Sequence, residues 1–214
     1  MTPLEINTAA RQRMNAVNDD FWPDAEIYNL IYQGSLELAN EGLLIERTFT
    51  ASTVAAQQEY DWPTNAISIK RIQVNGLKLK KITFREDDVL TFLNQSTSAS
   101  GAPTHYAEWN NVFYLRPIPS SVLEMKVWAY VQPQAVTLSS SLEIPDEYHM
   151  ALVNFILSEM SAKNKNYTGA QYYRALWEKD VLRAKRLARK KLIGDAFQVV
   201  KNVDVIPQSD LGIV

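Results

Sequence analysis

The sequence predicts an α+β fold: a discontinuous helical domain built from the N- and C-terminal segments, an antiparallel β-domain inserted between them, and an extended C-terminal arm. Three observations carry this. Apolar residues recur at three-and-four spacing near both ends of the chain, the period shifts towards two between about residues 47 and 132, and the last twenty or so residues are apolar in places without a helical period. The corresponding boundaries are 1–45 with 142–191 for the helices, 46–141 for the β-domain and 192–214 for the arm.

The first helix is expected over Pro3 to Val17, with Thr2 as N-cap and Pro3 in the first turn, where its missing N–H costs nothing. A second runs from about Pro23 to Asn40. Asp24 and Glu26 suit the positive end of its dipole, Ile27, Leu30, Ile31, Gly34 and Leu38 form one face, and Gly42 is the expected C-terminal cap. Gly34 on that apolar face marks a place where another backbone is expected to come close.

Five segments then read as strands: RTFTAST, EYDWP, AISIKRIQVNGLKLKKITF, NVFYLRP and LEMKVWAYVQP, rich in β-branched and aromatic residues. Asn75-Gly76 divides the third as a two-residue hairpin turn, giving about six strands. REDDVLTFLNQ at 85–95 is a candidate helix lying on the sheet. In GAPTHYAEWNNVFYLRPIP, Asn110-Asn111 is the expected turn, and Pro117 and Pro119 stop the returning strand.

Helical periodicity returns after the Ser139-Ser140-Ser141 linker. Ile144-Pro145-Asp146-Glu147 opens a helix whose sequence YHMALVNFILSEM is apolar nearly all round, which predicts burial. A long helix over about Gly169 to Lys191 carries a stripe of Tyr173, Leu176, Trp177, Ala184, Leu187 and Ala188. Arg174, Arg183, Lys185, Arg186, Arg189 and Lys190 fall mostly outside that stripe.

Composition bounds the chemistry. The 214 residues are 46% hydrophobic, enough for a core, and contain no cysteine, which removes disulfides, thiolate nucleophiles and the main ligands of structural zinc sites. With no run of eighteen apolar residues and no basic, apolar start, the chain is expected to be soluble, whole and made in the cytoplasm. The net charge of −2 hides a dipole: residues 1–160 carry −8, 161–191 carry +8 and 192–214 carry −2. Such asymmetry suits copies or partners that meet acidic face to basic face, and also nucleic-acid binding.

The candidate chemical groups lack partners at motif spacing. His105 and His149 are the only histidines, far apart and outside any H-x-x-x-H pattern, so no metal site is assigned. His149 reads as a satisfied, partly buried core residue. Glu86-Asp87-Asp88 lacks the spacing of a calcium loop, the seven glycines form no phosphate loop, and the serines 139–141 lack a nucleophile elbow. No catalytic residue and no cofactor are assigned.

The order of these pieces resembles a known family. NDDFWPDAEIYNLIYQGSLELA at 18–39, where an Asn-Asp, an aromatic pair and an Asp open a helix, is similar to tailed-phage adaptor proteins, although Pro23 stands where a Ser or Thr cap is expected. The run from Gly101 resembles them more specifically: Gly-x-Pro-x-x-Tyr, a hairpin, Leu-x-Pro-x-Pro, a strand ending near a proline, and Ile-Pro-x-x-Tyr-His at the start of a buried helix. The likeness is collinear over about residues 10–190.

The resemblance implies a head-to-tail adaptor, also called a head-completion or upper tail-tubular protein, at the head-tail junction of the virion and assembled in the host cytoplasm. Such proteins form homo-oligomeric rings, usually twelve-fold, beneath the portal protein, extend the DNA channel and hold the tail or nozzle protein, without catalysis and without a membrane. Genomic DNA passes through without sequence-specific binding, so the inner wall is expected to be acidic or neutral. The basic helix is then expected to face portal or neighbouring subunit. The arm's Phe197, Val199, Val203, Val205, Ile206, Leu211 and Ile213 are expected to find apolar cover on either, and to be disordered in the monomer. The competing reading is a nucleic-acid-binding module using helix 174–191, which a salt series of gel shifts separates from the first. A third, a small hydrolase with His105 as base, requires His105→Ala to abolish an activity.

Overall fold

A computed structural model of the chain describes residues 1–17, 20–86, 100–137 and 140–193. Helix and strand are both present, as an α+β class requires. Four helices form one layer: α1 (Pro3–Arg13), α2 (Asp24–Gly42), α3 (His149–Lys163) and α4 (Tyr167–Ile193). α2 and α3 pack together, and both α1 and α4 pack against that pair.

α1 starts as expected. Glu5 N–H donates to Thr2 Oγ1 at 3.2 Å while Thr2 N–H donates to Glu5 Oε2 at 2.9 Å, a reciprocal cap. It stops at Arg13 rather than Val17, because the chain turns through Asn15 at φ 53°.

At the end of α2 the expected cap is displaced by one residue. Gly42 is the last helical residue, and Leu43 takes the left-handed conformation at φ 46°, donating to Ala39 O at 3.0 Å. A left-handed leucine costs about 1–2 kcal/mol, offset by burial of its side chain in a small cluster with Tyr130 and Ala188. Gly42 instead makes room for α4: a Cβ there would lie 2.8 Å from the Cβ of Ala184. At Gly34 the close neighbours are side chains rather than the expected backbone, with Phe155 and Leu152 atoms 3.0 and 3.1 Å from where a Cβ would sit.

α3 is the buried centre. Its polypeptide enters through a 3₁₀ turn, Asp146–Tyr148, capped by Pro145, so the α-helix proper starts at His149 rather than at the proline. Ten of its residues from His149 to Ser161 are buried, matching an apolar character on all sides.

Ten short strands are described in place of about six. β1 (Glu46–Ser52), β3 (Ala66–Val74), β4 (Leu77–Lys78) and β10 (Glu124–Val131) form one antiparallel sheet in the order β1-β10-β3-β4. β2 (Glu59–Asp61), β5 (Lys80–Lys81), β7 (His105–Trp109) and β8 (Val112–Arg116) form a second, in the order β2-β8-β7-β5. β6 (Ser100–Gly101) pairs with β9 (Ile118–Pro119). The expectation of a purely antiparallel region is corrected, since β5 with β7 and β6 with β9 are parallel.

The extra count has a local cause. Asn75 (φ 48°) and Gly76 (φ 79°) make the expected hairpin turn. The returning strand then changes sheets at buried Leu79, which donates to Ile72 O, while Lys80 donates to Thr104 O, each at 2.9 Å. Asn110 and Asn111, at φ 50° and 60°, turn the β7–β8 hairpin as expected, and β8 ends before Pro117. Of the candidate helix at 85–95, residues 87–95 lie outside the described residues. Thr83 and Glu86 form a capping box, with Thr83 N–H donating to Glu86 Oε2 at 2.7 Å and Glu86 N–H to Thr83 Oγ1 at 3.2 Å.

One connected apolar core runs from Ile6 and Trp22 through α2 and α3 to Ile72, Phe113 and Leu115 in the two sheets. No helix among the described residues is long and apolar enough to cross a membrane.

Candidate assembly surface

α4 shows its packing face by burial: Trp177, Val181, Ala184 and Ala188 are buried, at the spacing that keeps side chains on one side of a helix. Trp177 lies 5.0 Å from the Phe155 ring and donates its indole N–H to Glu37 Oε1 at 3.2 Å. Tyr173 and Leu176 are half-buried at the margin, whereas Leu187, expected in the stripe, is exposed and Val181 takes its place.

The six basic residues singled out on this helix divide into two sets. Arg174 approaches Glu37, Glu159 and Glu178 at 3.8, 3.9 and 3.7 Å, Arg183 approaches Glu147 at 3.4 Å, and Lys185 approaches Glu41 at 3.1 Å. With Lys191 on Glu46 at 3.0 Å, these pairs tie α4 to its own chain. The Lys191 ammonium, more than Lys70 beyond it, holds the Glu46 carboxyl below its ordinary range. Each pair is worth only about 0–1 kcal/mol at the surface, so they align the helix more than they hold it. Arg186, Arg189 and Lys190 point outward, exposed and without an ion pair among the described residues. Exposed Lys179 and Leu182 share that face.

The other flank is organised around Arg11. Its guanidinium donates to Asn7 Oδ1 at 2.9 Å, to Ala16 O at 3.3 Å, to Trp22 O and to Asp24 Oδ1 at 2.7 Å. Asn7 Nδ2 also donates to Asp24 Oδ1 at 2.9 Å. These two bonds, the Asn7 amide first, hold the Asp24 carboxyl below the usual carboxylate range. Next to them runs a groove of about 650 Å³ lined by Leu4, Thr8, Val17, Asp20, Trp22 and Asp24 among others.

That geometry, a short polar helix locked to an aromatic-and-acid turn ahead of α2, is the physical content of the motif over residues 20–39. The SU10 adaptor protein family model matches residues 1–198. The chain belongs to the SU10 adaptor protein family. No curated protein matches it. Membership gives the chain a structural adaptor role in a bacteriophage, with portal and tail proteins as the partners that role implies.

In this SU10 adaptor chain the motif residues have structural duties. Trp22 is buried under α1, and Phe21 stacks edge-on against it at 5.2 Å. The Lys163 ammonium lies 4.6 and 4.3 Å from the two rings and 2.7 Å from Glu26, so the end of α3 clamps the same turn. Sequence reasoning passed over Arg11, Asn7 and Lys163, because each looks like an ordinary surface residue until α1 is docked. The pairing signal was Asp24, an acid in the first turn of a helix that has no side-chain cap.

The histidines have separate fates. His149 is more buried than expected: its Nε2 lies 2.9 Å from Ile144 O and therefore donates, leaving Nδ1 to accept from the Met1 ammonium at 2.7 Å. His105, on β7, is half-exposed with Nδ1 2.8 Å from Thr104 Oγ1. Among the described residues no three His, Asp or Glu groups are close enough together to hold a metal ion. Asp87, Asp88 and Ser139 lie outside the described residues, as do all the arm anchors: Phe197, Val199, Val203, Val205, Ile206, Leu211 and Ile213.

Proposed function

We propose that this chain is the head-to-tail adaptor of its virion: a homo-oligomeric ring, twelve-fold by family likeness, that seats under the portal protein, extends the DNA channel and carries the tail or nozzle protein. The observation that supports this reading best is the outward face of α4. In a chain of a phage adaptor family, Arg186, Arg189 and Lys190 stand exposed and without an ion pair among the described residues, while Arg174, Arg183 and Lys185 serve the chain's own glutamates. The first three are the portal- or neighbour-facing set, and the last three are better placed to align the helix.

In this reading the helices from 1–45 and 142–193 act as one unit, residues 46–141 as the inserted β-domain, and the arm, expected from 192 but starting only after α4 ends at Ile193, as a strap for portal or neighbour. DNA slides past without sequence-specific contact.

The test is a charge reversal at Arg186, Arg189 and Lys190 to Glu. The expected variant folds with the same far-ultraviolet spectrum and melting temperature as the parent, and fails to assemble on portal. A variant that still assembles on portal sinks the assignment of this face. The alternative, a nucleic-acid-binding module using α4, draws on the same three cations. It predicts a gel shift of duplex DNA that weakens with a log–log salt slope of about −3, roughly one counterion released for each of three phosphate contacts formed.

A further inference from the structure

The two outer helices differ in chemistry, and each packs on both α2 and α3. On one side α4 reaches α2 and α3 through Trp177 and Ala184, which meet Glu37, Gly42 and Phe155. On the other side α1 reaches the same two helices through Asn7 on Asp24 and Met14 beside Ser161, whose hydroxyl lies 3.8 Å from the Met14 sulfur.

The α4 flank is convex, basic and partly apolar. Leu182, 54% exposed, is followed at four and eight residues by Arg186 and Lys190, so the three share one face over about 12 Å of helix. The α1 flank is concave. Its groove is apolar at Leu4 and Val17, 50% and 57% exposed, and acidic at Asp20 and Asp24, with Arg11 already committed to Asp24. Asp20 is exposed and has no ion pair among the described residues.

We propose that these flanks are the two halves of one interface between copies: the outer face of α4 of one copy seats in the α1 groove of the next, with Leu182 against Leu4 and Val17 and with Arg186 against Asp20. The occupant is a second copy because both complementary surfaces, apolar centre and opposite charge, belong to the same chain. A contact between different surfaces of identical subunits is heterologous, and repeated around an axis it closes into a ring. The proposal rests on the ring reading above and assigns it a surface.

The absence of cysteine from the chain makes a background-free test possible. Full-length protein carrying Val17→Cys and Leu182→Cys together is treated with a short bismaleimide, alone and with portal protein, beside each single variant. The expected result is a covalent ladder in the double variant, reaching ring-sized species, with both single variants staying monomeric on a denaturing gel. Assembled particles in mass photometry without a ladder overturn this interface and leave the ring standing on other surfaces. A Leu182→Cys chain that links only to portal overturns it too, since the occupant is then the portal. Protein that assembles under no condition, portal included, overturns both this interface and the adaptor-ring reading.

A charge swap gives the second arm. Asp20→Lys and Arg186→Glu each weaken assembly by about tenfold, the scale of one interface charge pair, and the two combined restore it. Two single losses that simply add, with no restoration, overturn the pairing.

Discussion

Replacing Arg11 by Met keeps the length of the side-chain stem and removes the guanidinium that joins α1 to the turn before α2. Among the described residues four acceptors lose a donor: Asn7 Oδ1, Ala16 O, Trp22 O and Asp24 Oδ1. The Arg11 side chain is only 14% exposed, but that of Asp24 is 61% exposed, so the ion pair itself adds little and the carbonyl bonds carry most of the effect. Hydrogen bonds from a charged donor are worth about 1.5–3 kcal/mol where water is excluded and less here, which gives about 2–3 kcal/mol for the set. In a chain of this size that lowers the melting temperature by about 5–10 °C.

The assay is thermal and urea unfolding followed by circular dichroism, with Asp24→Asn and the double variant completing a cycle. A coupling of about 1 kcal/mol between the two sites is expected for groups in one network. The pH dependence has a definite sign. The Asp24 carboxyl is held below its ordinary value, so its contribution is present above the unfolded pKa, near 4, and is lost as pH falls through the folded one. Arg11→Met flattens that acid limb. A melting temperature unchanged within about 1 °C refutes the reasoning, and would mean that the Lys163 clamp on Phe21 and Trp22 holds the turn by itself.

Two further predictions concern the cores. Trp177→Ala removes the side chain that fills the space between Phe155 and α2, and is expected to destabilise by about 3–5 kcal/mol, while Trp177→Phe loses little beyond the bond to Glu37; equal losses in urea titrations contradict this. Burial first, and nearby Glu108 second, push the Tyr106 phenol well above its usual range. The folded state therefore holds that proton more tightly than the unfolded one. Its stability contribution is intact below about pH 10 and falls as pH rises beyond it. Urea midpoints at pH 8 and 11 should separate for the parent and converge for Tyr106→Phe, and an ultraviolet titration in which all ten tyrosines ionise together counts against it.

Periodicity made the helices legible, and φ-demanding residues made the turns legible. Asn75-Gly76 and Asn110-Asn111 turned where a positive φ was needed, and the all-round apolar run after Pro145 is the buried α3. Where local pattern misled, a tertiary contact had taken over. Gly42 reads as a helix stop, but it stays helical and its missing Cβ makes room for Ala184, while Leu43 turns instead. The strand after Gly76 reads as continuous, yet it changes sheets at Leu79 because its later residues pair with Thr104–Tyr106.

The chemistry of the proposed assembly surface was half legible. Six cations on one helix were visible, but apart from Glu178, one turn from Arg174, the glutamates that occupy Arg174, Arg183 and Lys185 come from α2, α3 and the turn before α3, at sequence distances that no local spacing reveals. The acidic, apolar groove beside α1 had no signature at all, since Leu4, Val17 and Asp20 meet only once Arg11 has bonded to Trp22 and Asp24.

The adaptor role is tested most directly by negative-stain images of the purified full-length protein, alone and mixed with portal protein. Rings with an open centre are expected, stacked coaxially on the portal when it is present. Particles that remain single subunits beside unoccupied portals, together with a salt-sensitive shift of duplex DNA, would contradict that role.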